Sequence, residues 1–128
     1  MERQTPGTAE LRGRQNDPPL LILLSLAESD KHGHALAADI EQMAGVRLGP
    51  GTLYGAIARL EERGLIEPLA AQGRRRPYRL TDAGLGALHA EVAELRRLAE
   101  AGERRLGAAG RRARAPRAGV LRAPRWTA

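Results

Sequence analysis

The segment from Gly49 to Thr81, GPGTLYGAIARLEERGLIEPLAAQGRRRPYRLT, restricts the fold more than any other part of the chain. Gly49 is an acceptable N-cap and Pro50 suits a first helical turn. From about Pro50 to Arg63, Leu53, Ile57 and Leu60 fall within a narrow arc of a helix. Gly51, Gly55, Ala58, Arg59 and Glu62 fall on the opposite side, with Thr52 and Tyr54 on the flanks. Gly64 is the stop. Leu65, Ile66 and Leu69 begin a short strand, and Tyr78 and Leu80 sit in its partner. The loop between them, Ala70 to Arg76, ends in three consecutive arginines, with Gly73 available for a left-handed turn position.

Helices flank this unit. Pro18 to Glu28 is almost wholly apolar, with Asp17 as a plausible N-cap, and reads as a helix packed between neighbours. Residues 33–44 carry Leu36, Ala37, Ile40, Met43 and Ala44 at three- and four-residue steps, and Gly45 ends that helix. Thr81 caps a fourth helix reaching about Glu100. Its apolar residues Leu85, Leu88, Val92, Leu95 and Ala99 step by three and four, the pattern of a coiled-coil seam. The expected fold is therefore mostly α with a small two-stranded wing (α+β). It is a winged helix-turn-helix over residues 18–81, followed by a C-terminal dimerisation helix over 82–102. Residues 1–17 read as a disordered arm, and 103–128 as a disordered Arg-rich tail with too little apolar content to fold alone.

The 128 residues suffice for one ordinary domain. Cysteine is absent, so disulfides, thiolate metal sites and thiol nucleophiles are excluded. The apolar run from Leu20 to Leu24 is far too short to cross a bilayer, so no membrane association is expected and the chain reads as cytoplasmic. The net charge of +6 resolves unevenly along the chain. Residues 103–128 hold eight arginines and one acid, a net +7, so the preceding 102 residues sum to −1. Residues 50–80 carry +3 and residues 17–46 carry −4. That polarity orients a DNA-docking module.

Thr52, Tyr54, Gly55 and Arg59 are the candidates for entering a DNA groove. The small residues at the leading end of their helix let backbone approach DNA closely, and free N–H groups there suit a phosphate. Thr52 and Tyr54 can hydrogen-bond phosphate or base edges, and Arg59 can bind guanine bidentately. The competing reading packs Tyr54 on the wing and pairs Arg59 with Glu62. Arg74, Arg75 and Arg76 at the wing tip repel one another unless a polyanion neutralises them. Arg79 alternates with Tyr78 and Leu80 and extends the patch outward. Leu85, Leu88, Val92 and Leu95 are the candidate dimer contacts, with packing on the chain's own first helix as the alternative. His32, His34 and His89 lack the companions a metal site needs. No nucleophile motif, phosphate-binding loop or paired carboxylates indicate an enzyme, and no cofactor is expected.

Three stretches carry a further likeness: HGHALAADIE (His32 to Glu41), PGTLYGAIARLEERGLIE (Pro50 to Glu67) and RRPYRLTDAGLGAL (Arg75 to Leu88). Across residues 18–102 the chain resembles the PadR family of bacterial transcriptional regulators, in its smaller form with one C-terminal dimerisation helix. It departs from the family pattern at Gly49, where serine is frequent, and at Gly33-His34, where Gly-Tyr is usual. The Arg-rich tail is also outside the pattern. Some members respond to small aromatic or lipophilic compounds. This chain has no Phe and its one Trp, Trp126, lies in the tail, so no specific effector is expected.

The expected function is sequence-specific binding of a palindromic double-stranded DNA operator by a homodimer, as a regulator and specifically a repressor. Two other classes fit the same features. One is a winged-helix adaptor whose wing binds an acidic protein. The other is a non-specific nucleic-acid-binding protein that uses the basic tail.

Overall fold

The computed structural model of the chain describes residues 16–115. The arm over 1–15 and the stretch 116–128, with Trp126, lie outside the described residues. Two compact units divide after Ala90. The first holds α1 (Pro18–Glu28), β1 (Lys31–His32), α2 (Gly33–Ala44), α3 (Pro50–Glu62), β2 (Ile66–Pro68), β3 (Pro77–Leu80) and the start of α4 (Asp82–Arg114); the rest of α4 lies in the second.

Each helix of the first unit starts and stops where local chemistry requires. Pro18 and Pro19 open α1, whose Leu20, Leu21, Ile22, Leu23 and Leu26 are buried. The His32 ring accepts a 3.3 Å hydrogen bond from the Ala35 N–H and so caps α2. Gly45 ends that helix in the left-handed region, φ 71°, with its N–H on the Glu41 carbonyl. Leu36 and Ile40 of α2 are buried, but Met43 and Ala44 are exposed. The apolar stripe thus ends one turn earlier than the spacing predicts. On α3, Leu53, Ala56, Ile57 and Leu60 are buried. No side chain caps it at Gly49, so the hydroxyl that a serine would supply is missing.

The core joins Ile22, Leu36, Ile40, Leu60 and Ile66, all fully buried. Each such side chain contributes about 1.5–3 kcal/mol by leaving water. A polar clamp sits at its edge. The buried Ser25 hydroxyl donates to Asp39 at 2.5 Å, and Lys31 reaches the Ser25 carbonyl at 2.6 Å and Asp39 at 3.8 Å. Three elements, α1, β1 and α2, are thereby tied by one group of charges.

The wing is a three-stranded antiparallel sheet in the order β1-β3-β2, not the two-stranded ribbon expected. Lys31 pairs with Tyr78 and His32 with Pro77. A two-residue strand has no periodicity of its own. It exists because β3 offers a free edge and the α1–α2 connection passes beside it. At the wing tip Gln72 and Arg75 exchange backbone hydrogen bonds of 2.7 and 3.1 Å around Gly73-Arg74. Gly73 has φ 66°, which the first central position of such a two-residue turn requires.

Thr81 organises the start of α4. Its hydroxyl accepts from the Gly84 N–H at 3.0 Å and donates to the Gly64 carbonyl at 2.7 Å. Gly84 packs so closely on the Leu65 carbonyl and Leu80 that a methyl group there would collide with both. The helix does not stop near Glu100 or at Gly102; it continues to Arg114. It passes Gly102, Gly107 and Gly110, each of which costs about 1 kcal/mol against alanine. Ala, Leu, Glu and Arg on both sides favour helix, and Arg111, Arg112 and Arg114 suit its negative C-terminal end.

Candidate nucleic-acid interface

The outward face of α3 is free. Thr52, Ala58, Arg59 and Glu62 are exposed, Gly55 partly so, and Tyr54 is 50% exposed. Arg59 does not pair with Glu62. Its guanidinium lies back over the gap left by Gly55, where an added Cβ would stand 3.6 Å from Nη1. The glycine therefore gives the arginine room to lie flat or swing out. Tyr54 is held differently. Its phenol lies against Gly33 at the start of α2, so closely that a Cβ on Gly33 would overlap the ring. Tyr54 is thus fixed on α2, with half its surface left for a ligand.

The wing arginines divide into two kinds. Arg79 donates through Nε and Nη2 to Glu67 at 3.1 and 2.9 Å, an exposed ion pair across β2 and β3. Arg76 folds back and donates to the Leu69 carbonyl at 2.7 Å. Arg74 and Arg75 are exposed and have no side-chain partner among the described residues. The uniform patch expected over Arg74, Arg75, Arg76 and Arg79 is therefore a pair of free charges beside two committed ones.

A cleft of about 200 Å³ joins these parts. His32, Gly33 and His34 form one side, Tyr54 another, and Arg74, Arg75, Arg76 and Tyr78 the wing side. The wing tip and the flank of α3 therefore face one space. The His32 and His34 rings stack with centroids 6.4 Å apart and planes 13° apart. Burial pushes the Tyr78 phenol above its ordinary value, reinforced by Glu61 and Tyr54 and opposed by Arg76, so it keeps its proton as a donor. Thr52, Gly55 and Arg59 do not line this cleft. The sequence reading missed His32, His34 and Tyr78 as lining residues. The signal available was the departure from Gly-Tyr to Gly33-His34 at a helix start. The position of Tyr78, one residue from Arg79 on an alternating strand, was another.

Within the single chain Leu88 is 6% exposed and belongs to the core of the first unit. Leu85 is 45% exposed, and Val92 and Leu95 are half-buried. Of the four residues expected in a seam, Leu88 is thus claimed by the fold of its own unit. No helix among the described residues is long and apolar enough to cross a membrane.

Sequence and structure comparisons bear on the family and the fold. The chain is 51% identical over 85 residues to an uncharacterized 37.1 kDa protein of a Streptomyces fradiae transposon. The match takes in 66% of this chain and 25% of that protein, so the chain spans about a quarter of that relative. It is 41% identical over 83 residues to a transcriptional regulator of Mycobacterium tuberculosis, covering 62% of this chain and 77% of the relative. Among solved structures, a PadR family transcriptional regulator from Eggerthella lenta superposes with a TM-score of 0.65 at 29% identity. That match covers 78% of this chain and 90% of the other. Residues 22–90 match the profile of the transcriptional regulator PadR-like family. With more than half its length inside that match and the winged-helix architecture in place, the chain belongs to the PadR-like family of transcriptional regulators.

Proposed function

We propose that the protein is a sequence-specific double-stranded DNA-binding regulator that acts as a homodimer and represses transcription. Helix α3 enters the major groove, with Thr52, Tyr54, Gly55 and Arg59 toward bases and backbone. Arg74 and Arg75 at the wing tip reach the adjacent backbone. The observation that carries this reading is the cleft shared by Tyr54 and the wing arginines, because it places the helix flank and the free cations on one surface. The second copy docks along α4 through Leu85, Val92 and Leu95, with Leu88 at the edge against its own head. Two recognition helices about 34 Å apart then address a palindrome on one face of the duplex. Occupancy of a promoter by such a dimer blocks polymerase, which is the basis for the repressor assignment. The protein acts in the cytoplasm, without a cofactor.

Footprinting on the DNA upstream of its own gene tests the proposal. A protected palindrome, bound in a salt-dependent way and lost when Arg59 or the Arg75-Arg76 pair becomes Ala, supports it. If removal of residues 103–128 abolishes all binding, the protein is a non-specific nucleic-acid binder. If no duplex binds at low salt, it is an adaptor.

A further inference from the structure

We propose that the cleft between the start of α2, Tyr54 and the wing tip is a preformed phosphate site, and that His32 and His34 are contact residues for one phosphodiester of the DNA backbone. The proposal rests on the reading of the protein as a DNA-binding regulator and adds to it a defined seat on an element outside α3 and the wing.

The lining argues for an anion. It comprises three arginines, two histidines, two tyrosines and Gly33, and it contains no carboxylate. Arg74 and Arg75 have no partner among the described residues, and Arg76 uses one of its five N–H groups on Leu69. The two tyrosines add hydroxyls, and burial keeps the proton on that of Tyr78. His32 adds a directed donor: its Nδ1 accepts from the Ala35 N–H, so the neutral ring carries its proton on Nε2. His34 stacks on that ring and is exposed. Donors thus converge from the start of α2, from α3 and from the turn and β3 of the wing, with no carboxylate among the lining side chains.

Size and rigidity point the same way. A cleft volume of about 200 Å³ leaves room for a phosphate group. Three of the walls are fixed before any ligand arrives. Tyr54 is pressed on Gly33, His32 is held by its cap to α2, and β1 is tied to β3 through the Lys31–Tyr78 and His32–Pro77 pairs. Binding then orders few side chains, which lowers its entropic cost. Replacement of the usual tyrosine by His34 exchanges a packing ring for a second imidazole at the rim.

Inorganic phosphate and a short duplex separate the possible sources of that anion. The full chain is titrated with phosphate while the imidazole NMR signals of His32, His34 and His89 are followed, His89 on α4 serving as the control. Saturable shifts of His32 and His34 alone, weakened at least about fivefold when Arg74 and Arg75 become Ala, are expected. Absent or equal shifts at all three histidines overturn the site, whatever DNA does. Duplex is then added at low salt. Displacement of phosphate from the two histidines, with Arg74→Ala lowering the salt slope of duplex binding by about one and His34→Ala weakening duplex binding about threefold, assigns the site to the DNA backbone. Duplex that binds without displacing phosphate, or a His34→Ala variant with unchanged duplex affinity, overturns that assignment. Phosphate binding with no duplex binding leaves a free-phosphate site and overturns both the backbone assignment and the regulator reading.

Discussion

The head formed by residues 18–90 and the far half of α4, residues 91–114, put the same residue types to opposite uses. In the head, leucines are spent on a core: Leu20, Leu36, Leu53 and Leu60 are all buried. Along α4, Leu98 and Leu106 are 69% and 73% exposed. Arginines follow it only in part, since Arg97 in the far half pairs with Glu94 while Arg74 and Arg75 in the head have no side-chain partner among the described residues. In the head Arg47 pairs with Glu41, Arg79 with Glu67, and Arg76 with a carbonyl. From 104 to 114 the helix carries five arginines and no acid. The head earns its shape from burial, while the far half of α4 rests on helix propensity and on whatever covers its exposed leucines. The proposed second copy along α4 would cover apolar surface that its own chain leaves exposed.

The largest effect should come from the core. Leu36→Ala is expected to cost about 2–5 kcal/mol, from lost transfer energy plus an unfilled cavity. Leu106→Ala in a monomeric preparation should change stability by less than about 0.5 kcal/mol. Urea denaturation followed by circular dichroism measures both. Equal costs would erase the distinction between the two regions. Next in size is Gly84→Ala. Its methyl group would meet the Leu65 carbonyl oxygen and Leu80, and backbone cannot move aside as a flexible side chain can. The expected loss is about 1–3 kcal/mol in the same assay.

Much of the head could be read from sequence because its signals are local. The three helices of the head, the glycine stops at Gly45 and Gly64, the Thr81 cap and the arginine-tipped turn all follow from spacing and turn chemistry. Strand β1 could not be read, since two residues have no period and their pairing depends on a partner 47 positions away, as Lys31 opposite Tyr78 shows. The end of α4 was misplaced for the converse reason: a single glycine is a weak stop when strong helix formers flank it. At the site, residue types were legible but their commitments were not. Nothing local distinguishes Arg79, which is paired, from Arg75, which is free. His32 and His34 become lining residues only once α2 and the wing are folded together.

A third test addresses the seam. Val92→Asp combined with Leu95→Asp places charges on the half-buried stripe of α4, where a facing copy would have to desolvate them. Sedimentation at micromolar concentration should show a dimer for the parent chain and a monomer for this variant, a loss of at least about 2 kcal/mol of association if Kd rises thirtyfold. The urea transition of the head should persist. A variant that remains dimeric removes α4 as the interface.

The smallest effects lie within the wing and sharpen the division between free and committed arginines. Arg75→Ala removes an exposed charge with no partner among the described residues. Duplex binding should weaken about tenfold, or 1.4 kcal/mol, with the salt slope falling by about one and the urea midpoint unchanged. Arg79→Ala removes a charge already neutralised by Glu67, on a pair whose members are 53% and 45% exposed. That pair contributes at most about 1 kcal/mol to stability. Its loss frees a carboxylate on the wing, so duplex binding should weaken by no more than about threefold, through repulsion of phosphate and not through a lost contact. Arg79→Ala together with Glu67→Gln cancels that repulsion and should return affinity to the parent value. A double variant as weak as Arg75→Ala would mean that Arg79 leaves Glu67 for the DNA, and Arg79 would then count among the free charges.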